Sequence, residues 1–321
     1  MKKLCSIFAM VLLTFTISCN NDENVANPIT QNPVDVYVAG QKNNQACYWK
    51  NNQLVVLDPG SFTGSAAKKI IVSNDDVYVL GTAFPTGGSN YGPNLYWKNG
   101  VLTNLNALFF TESLDNFLYV SDMDVVGSDV YFVGFTKNFA TNAFSLKTWK
   151  NNVATDLINN NTTNANAEVC KIKVQNNEIY VTTPSWGVFV NTVSQSVPSG
   201  VELKGIAGNN NQITIYGRNS NSNTVYYKNL STNLESNSSV IQDVEKLMFD
   251  NNNLYFSSLF GIYKNSILGY SIPQTDIIKT FTVVSDNLYT IEGSNSQIVK
   301  INNVITMTAT SNEVYNNLYI D

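Results

Sequence analysis

A short phrase recurs seven times along this chain and limits the folds that are open to it. It first reads DVYVAG at 35–40, followed by YWKNN at 48–52, and its last full copy is NLYTIE at 287–292, followed by IVKINN at 298–303. The copies are spaced about 40 residues apart, which is the length of a four-stranded propeller blade. Such a unit must stack on its neighbours to bury both of its faces, so the repeat predicts a ring of blades.

Within each unit, the sequence predicts short strands joined by tight turns. Asn99-Gly100, and Asn-Asn in the sister copies, suit two-residue hairpin turns, because both central residues of such a turn need a positive φ. No unit contains the amphipathic segment that a βαβ protein requires. Large residues in the third strand of a unit are expected to form a core between blades that pack face to face. These residues are Trp49, Trp97, Trp149 and Tyr227.

We therefore predict an all-β fold, a seven-bladed β-propeller over residues 34–321. The segment TSNEVYNNLYID at 310–321 resembles the opening strands that the first unit lacks. The C-terminal strand is thus expected to close the first blade. An eight-bladed ring with an incomplete last blade is the alternative, because NLYID itself copies the second strand of a unit.

The composition excludes several kinds of site. The sequence contains no histidine, so this chain cannot form a Ser-His-Asp or Cys-His arrangement or a His-ligated zinc site. Its net charge is −5 and no basic cluster is visible in it, which argues against nucleic acid as a partner. We predict no metal and no cofactor. Cys47 and Cys170 are expected to be free, buried thiols, since repeats one and four lie almost opposite each other in a seven-bladed ring.

The first 33 residues have the pattern of an export signal and a tether. Lys2 and Lys3 precede an apolar run over 4–18, and its length of about 15 residues is below the roughly 20 that span a membrane. The run stops at Cys19, which predicts a lipoprotein signal peptide over 1–18. Residues 19–33 would then be the lipidated cysteine and a flexible tether. An ordinary cleaved signal that happens to contain a cysteine is the alternative.

The repeat phrase and the signal together resemble the β-propeller lipoproteins of Bacteroidota that carry YWKNG-type repeats, a family of unknown function. The resemblance covers residues 34–321 and implies the architecture without implying any catalytic residue. It also implies attachment to the outer membrane through lipid on Cys19. The expected location is therefore the outer membrane. Asp22 and Glu23, just after that cysteine, resemble the surface-export signal of such lipoproteins and so favour its outer face; the alternative is an acidic pair in a solvated linker, which leaves a periplasmic orientation open.

Long loops supply the candidate binding site. The long connections are expected on one face of the ring, where a rigid scaffold commonly presents a binding site. Exposed aromatic rings there would suit stacking on sugars or anchoring a protein. The alternative is that these rings fold back as local hydrophobic clusters. The long loops are 58–67, 82–93, 106–117, 135–144 and 158–167. The candidate ligand-binding residues are Phe84, Tyr91, Phe109, Phe110, Phe135 and Phe139.

Acidic residues do not single out a catalytic pair. Asp122 and Asp124 partly resemble a calcium loop, but alignment of the repeats places them in the first strand of the third unit. The sequence thus favours a non-enzymatic, envelope-anchored propeller that binds a glycan or an envelope protein. The alternatives are a scaffold for envelope assembly and a glycoside hydrolase that uses two carboxylates.

Overall fold

The computed structural model describes residues 34–84, 92–109, 117–161, 169–209, 212–239, 243–294 and 296–321. The predicted signal peptide over 1–18 and the lipidated cysteine and tether over 19–33 lie outside these residues. In the described ranges almost all regular structure is strand, with one short helix, α1 (Leu105–Phe109). No helix in this part of the chain is long and apolar enough to cross a membrane.

The described strands form seven four-stranded antiparallel sheets, numbered here as blades in chain order. Blade 1 contains β28 (Glu313–Ile320), β1 (Val36–Lys42), β2 (Gln45–Lys50) and β3 (Gln53–Val56). Blades 2 and 3 contain β4 (Ser65–Ser73), β5 (Asp76–Ala83), β6 (Asn94–Lys98), β7 (Val101–Asn104), β8 (Phe117–Val126), β9 (Asp129–Asn138), β10 (Ala143–Lys150) and β11 (Val153–Asn161). Blades 4 and 5 contain β12 (Lys171–Gln175), β13 (Glu178–Thr183), β14 (Gly187–Val190), β15 (Val193–Gln195), β16 (Val201–Asn209), β17 (Gln212–Asn219), β18 (Thr224–Asn229) and β19 (Leu234–Ser238). Blades 6 and 7 contain β20 (Lys246–Asp250), β21 (Asn253–Ser257), β22 (Gly261–Lys264), β23 (Ile267–Ser271), β24 (Ile278–Val284), β25 (Asn287–Glu292), β26 (Ile298–Ile301) and β27 (Val304–Thr308).

The first strand of each blade contacts the first strands of the neighbouring blades, so these strands surround the axis of a seven-bladed propeller. This confirms the predicted all-β, seven-bladed fold and not the eight-bladed alternative. In blade 1 the innermost strand is the C-terminal β28, which pairs with β1. Sequence from both ends of the propeller therefore completes one sheet, as predicted.

The closing strand is held by packing as well as by its ladder. Tyr37 pairs with Tyr319 and Val38 with Leu318 across the β1–β28 ladder. The ring of Tyr315 meets that of Trp49 edge-on, with centroids 4.8 Å apart. On the side facing blade 2, the Tyr319 hydroxyl donates to the Val72 carbonyl at 2.8 Å. The last strand thus joins blade 1 to blade 2.

The repeat phrase is explained by a cluster of side chains at its turns. In the second repeat, Lys98 Nζ lies 2.7 Å from a carboxylate oxygen of Asp76 and 5.2 Å from the centroid of the Tyr78 ring. Asn99 Nδ2 donates to Asp76 at 2.6 Å, while its Oδ1 accepts from the Val77 backbone N–H at 2.8 Å. Equivalent contacts form in the first repeat around Asp35 and in the third around Asp129. The most repeated residues therefore fix the hairpins.

Turn and core residues behave as the sequence predicts. The turn residues Asn51 and Asn52 have φ values of 48° and 68°, and Asn99 has a φ of 50°. Large third-strand residues fill the space between blades, with Trp97 fully buried and Tyr227 partly buried against its cluster. Trp49 and Trp149 are likewise buried. Cys47 and Cys170 are free and buried, and burial raises the pKa of both thiols to about 12.

Truncation of a closing-strand side chain should destabilise the whole ring. Tyr315 is 2% exposed, so Tyr315→Ala leaves a cavity between β28 and Trp49 and should lower the free energy of unfolding by about 3 kcal/mol. Chemical denaturation monitored by tryptophan fluorescence measures this change. Ile305→Ala, at a side chain that is 55% exposed on an outer strand, is the matched control and should change stability little. Equal stability of the two variants would contradict closure by β28.

Candidate functional site

A channel runs along the axis between the innermost strands, with a volume of about 760 Å³. Its lining is unusually rich in charged side chains for a protein with so few of them. The lysines that line it are Lys68, Lys69, Lys171, Lys173, Lys204, Lys246 and Lys279. The carboxylates that line it are Asp122, Asp124 and Glu245. The channel is therefore net positive inside a chain whose net charge is −5.

β-Bulges bring consecutive polar residues to this channel. In five of the seven innermost strands the ladder to the second strand skips one residue at the equivalent place. A bulge re-aims side chains locally, and here it allows both members of a polar pair such as Lys68-Lys69 to line the channel. The skipped residues are Lys68, Ser121, Lys204, Lys279 and Asn316.

The glycine of the repeat phrase accommodates this bulge. At Gly81 an added Cβ would overlap the carbonyl oxygen of Ala66, and at Gly134 it would overlap that of Tyr119. Gly40 and Gly217 face the same close approach. At these four positions another residue would push the inner strand away and shift the channel-lining side chains, whereas blade 7 keeps the bulge with Glu292 at the equivalent position.

One side of the channel is electrostatically compensated. Lys69 Nζ lies 2.6 Å from Asp122 Oδ1, and Lys173 Nζ lies 3.1 Å from Asp124 Oδ2. The second oxygen of Asp122 accepts the backbone N–H of Ile172 at 3.1 Å. Asp124 likewise accepts the N–H of Val174 at 2.7 Å. The acidic pair in blade 3 therefore joins blades 2, 3 and 4, and its oxygens are engaged by protein donors.

The channel also contains positive charge without such partners. Among the described residues, the side chains of Lys171 and Lys279 make no hydrogen bond or ion pair. Lys246 Nζ donates to the Phe281 carbonyl at 2.6 Å and to Thr280 Oγ1 at 3.3 Å. These acceptors are neutral, so the ammonium charge of Lys246 is not balanced.

The pKa shifts agree with this picture. Burial, together with the positive charges of Lys69 and Lys171, lowers the pKa of Lys246 to about 8. Burial also lowers the pKa of Lys279. The pKa of Glu245 is raised by burial and by the neighbouring Asp243. Burial and repulsion among the lysines thus disfavour the charged form of Lys246, and a bound anion would favour it.

The predicted aromatic residues are dispersed. Phe135 is 5% exposed and lies in strand β9, within the core cluster that includes Phe144. Phe109 stacks on Trp149 with centroids 4.8 Å apart, in a different cluster. Phe84 is partly buried, whereas Phe139 is 54% exposed after the end of β9. Tyr91 and Phe110 lie outside the described residues. The segment 135–144, expected as a loop, is mostly paired strand.

The sequence analysis did not predict the channel lysines, because they occur singly or in pairs in separate repeats and form no basic run. A signal was nevertheless present. Polar pairs interrupt the apolar inner strands at one position of the repeat, as in Lys68-Lys69, Glu245-Lys246 and Lys279-Thr280. Only the ring topology makes these separated pairs neighbours.

Comparison with known proteins supports the fold. No protein-family model and no curated protein matches the sequence. Among solved structures, acylaminoacyl peptidase from Pyrococcus horikoshii aligns with a TM-score of 0.52 and 10% identity, over 88% of this chain and 50% of its own. A quinonprotein alcohol dehydrogenase-like protein from Bacteroides thetaiotaomicron aligns with a TM-score of 0.52 and 11% identity, over 89% of this chain and 77% of its own. The chain thus spans half the length of the peptidase, and at these identities the likeness shows the fold alone.

Removal of the buried charge at Lys246 should stabilise the protein in a pH-dependent way. The pKa of Lys246 falls from 10.5 to about 8 on folding, so its protonated form destabilises the fold below pH 8, and this effect disappears as the pH rises to 10.5. Lys246→Met should therefore raise the free energy of unfolding at pH 7 by about 1–2 kcal/mol, after allowance for its lost hydrogen bonds. The gain should shrink by pH 10.

The measurement is chemical denaturation of both proteins at pH 7 and pH 10. Lys98→Met is the contrasting variant: the side chain of Lys98 is 43% exposed and paired with Asp76, so its removal should not raise stability at pH 7. A desolvated charge at this position would be contradicted if Lys246→Met were less stable than the parent at pH 7 and the loss were the same at pH 10.

Proposed function

We propose that this protein is a non-enzymatic, envelope-anchored binding propeller that takes an anionic ligand into its central channel. The observation that carries the proposal is the convergence of seven lysines on one channel against three carboxylates. A net positive cleft attracts anions and concentrates them locally, and its low-dielectric walls strengthen that attraction. The whole chain carries a net charge of −5, so the excess of positive charge is confined to the channel and favours a role for the channel itself.

The size of the channel supports a small ligand or the end of a chain-like one. Its volume of about 760 Å³ lies in the range of roughly 300–1,000 Å³ that is usual for small-molecule sites. An acidic glycan, with carboxylate groups along a slender chain, meets both the size and the charge. The exposed ring of Phe139 remains a candidate for stacking on sugar units outside the channel.

The state of the carboxylates favours binding over glycoside hydrolysis. A hydrolase needs one carboxyl that can donate a proton and another that can attack or activate water. Asp122 and Asp124 each accept a lysine ammonium and a backbone N–H. Their oxygens are used to join blades, so neither is presented as a free acid or base. The remaining carboxylate of the lining is Glu245.

The binding proposal is tested by isothermal titration calorimetry of the soluble propeller, residues 34–321. The probes are an acidic oligosaccharide, trigalacturonate, and a neutral one of equal length, trigalactose. We expect trigalacturonate to bind at pH 7 and low ionic strength and to weaken as salt is added, because screening reduces charge attraction. Trigalactose should not bind. Equal binding of the two probes would contradict an anion-binding channel. The absence of binding heat from trigalacturonate, and from every other oxyanion titrated, would contradict it as well.

The anchoring part of the proposal rests on Cys19 at the end of the apolar run and on the polar residues that follow it. Acyl chains on this cysteine would hold the propeller at a membrane surface through a short tether, since two chains suffice for stable anchoring. The lipid anchor, the outer-membrane location and surface exposure belong to this proposal together.

Substitution of the cysteine tests the anchor. Cys19→Ser should abolish incorporation of a labelled fatty acid in a host that processes bacterial lipoproteins, and should move the protein out of the membrane fraction. Cys5→Ser, within the predicted signal peptide, is the matched control and should still be labelled. Labelling that persists in Cys19→Ser would show that the lipoprotein interpretation is wrong.

A further inference from the structure

We infer that the channel contains one defined oxyanion seat, formed by Lys171, Lys246 and Lys279 on blades 4, 6 and 7. The inference rests on the proposed anion-binding function and deepens it by assigning the residues and the ligand class. The ligand group is an oxyanion with at least two negative charges, either two carboxylates or a phosphate group.

The strand register places Lys171 and Lys246 at equivalent positions of their innermost strands. We call the set of residues at this position in the seven blades one level of the channel. Lys171 pairs with Thr182 and Lys246 pairs with Ser257, and both partners are the fifth residue of their repeat phrase. The fifth residues of the other phrases pair with the remaining members of the same level. This level consists of Lys69, Asp122, Lys171, Gly205, Lys246, Thr280 and Asn317.

Charge on this level is distributed unevenly. Asp122 neutralises Lys69 at 2.6 Å, so Lys171 and Lys246 are the members without a carboxylate partner among the described residues. Lys279, the bulged residue of β24, lies next to Thr280 of the same level and is also unpaired there. Positive charges that repel one another across a channel are the arrangement that a multivalent anion stabilises most.

Blade 5 places a tyrosine hydroxyl between the two lysines of the level. It contributes Gly205, which has no side chain, between Lys171 of blade 4 and Lys246 of blade 6. The hydroxyl of Tyr216 occupies the place where a Cβ of residue 205 would stand, and it lines the channel. Burial raises the pKa of Tyr216, and the hydroxyl also forms a hydrogen bond with the Leu247 backbone that opposes this shift. The hydroxyl is protonated at pH 7 and can donate its hydrogen to an oxyanion.

Lysine ammonium groups determine the ligand class. Each is a compact point charge with three donors, which suits carboxylate and phosphate oxygens alike and does not select planar, bidentate geometry. Three such groups lining one channel match a group with more than one negative charge. An acidic sugar and a free phosphate compound share this chemistry, so the experiment has one probe for each.

The test measures affinities of the soluble propeller for digalacturonate and for pyrophosphate by calorimetry at pH 7 and low salt. Lys171→Gln and Lys279→Gln remove unpaired ammonium groups and should each weaken binding of the recognised probe at least tenfold. Lys204→Gln is the matched control, because Lys204 also lines the channel but lies 3.5 Å from Glu202. It should weaken binding less than threefold. Thermal melting verifies that all three variants fold.

The outcomes separate the seat from the function on which it rests. Recognition of digalacturonate alone supports the seat with an acidic sugar as its source, and recognition of pyrophosphate alone supports it with a phosphate compound. Binding that falls equally in Lys171→Gln, Lys279→Gln and Lys204→Gln overturns the seat, while a diffuse anion-binding channel survives. Absence of binding of either probe to the unmodified propeller overturns the seat and contradicts the proposed function as well.

Discussion

The pairing of the last strand with the first is the interaction on which the rest of the structure depends. β28 supplies the innermost strand of blade 1, and without it the ring would have six inner strands and an open edge. The same strand reaches blade 2 through its asparagines. Asn316 Nδ2 donates to the Ala67 carbonyl at 2.8 Å, and Asn317 Oδ1 accepts the Ile70 backbone N–H at 3.2 Å. Closure and the polar lining of the channel are therefore made by the same residues.

Repeated and unrepeated positions carry different roles in this propeller. The phrase residues Asp76, Tyr78, Lys98 and Asn99 form hydrogen bonds and ion pairs at the hairpin turns, and these contacts recur in other blades. They serve the architecture, although each exposed pair contributes little energy by itself. The innermost strands differ from blade to blade at the channel level, where Lys, Asp, Gly, Thr and Asn all occur. The blades therefore share their hairpin turns and differ from one another in the residues that line the channel.

The fold could be predicted from the sequence because its determinants are local. The Asn-Gly turn at 99–100 and the spacing of the phrase specify strands and blades, and the copy at 317–321 indicates how the ring closes. The extent of the hairpin around 135–144 was not predictable, since the continued pairing of β9 with β10 follows from no turn signal. Whether Phe109 and Phe135 face solvent or the core was likewise open, because a ring in a short segment packs on whatever neighbour the fold provides.

The channel could not be predicted from the sequence because it exists only in the closed ring. Lys171 lies about 100 residues after Lys69, and Lys246 lies about 75 residues after Lys171, so the three form no basic run in the sequence. Their convergence depends on the register of the strands in the closed ring, which places each of them opposite the fifth residue of its repeat phrase. A chain with a net charge of −5 therefore conceals a cationic channel.

The measurement that tests the central claim most directly is a crystal structure of the propeller soaked with selenate, with the anion located by the anomalous scattering of selenium. The account predicts selenate in the channel, with its oxygens about 3 Å from the Nζ atoms of Lys171, Lys246 and Lys279. Selenate bound only on the outer surface, with none in the channel, would contradict it.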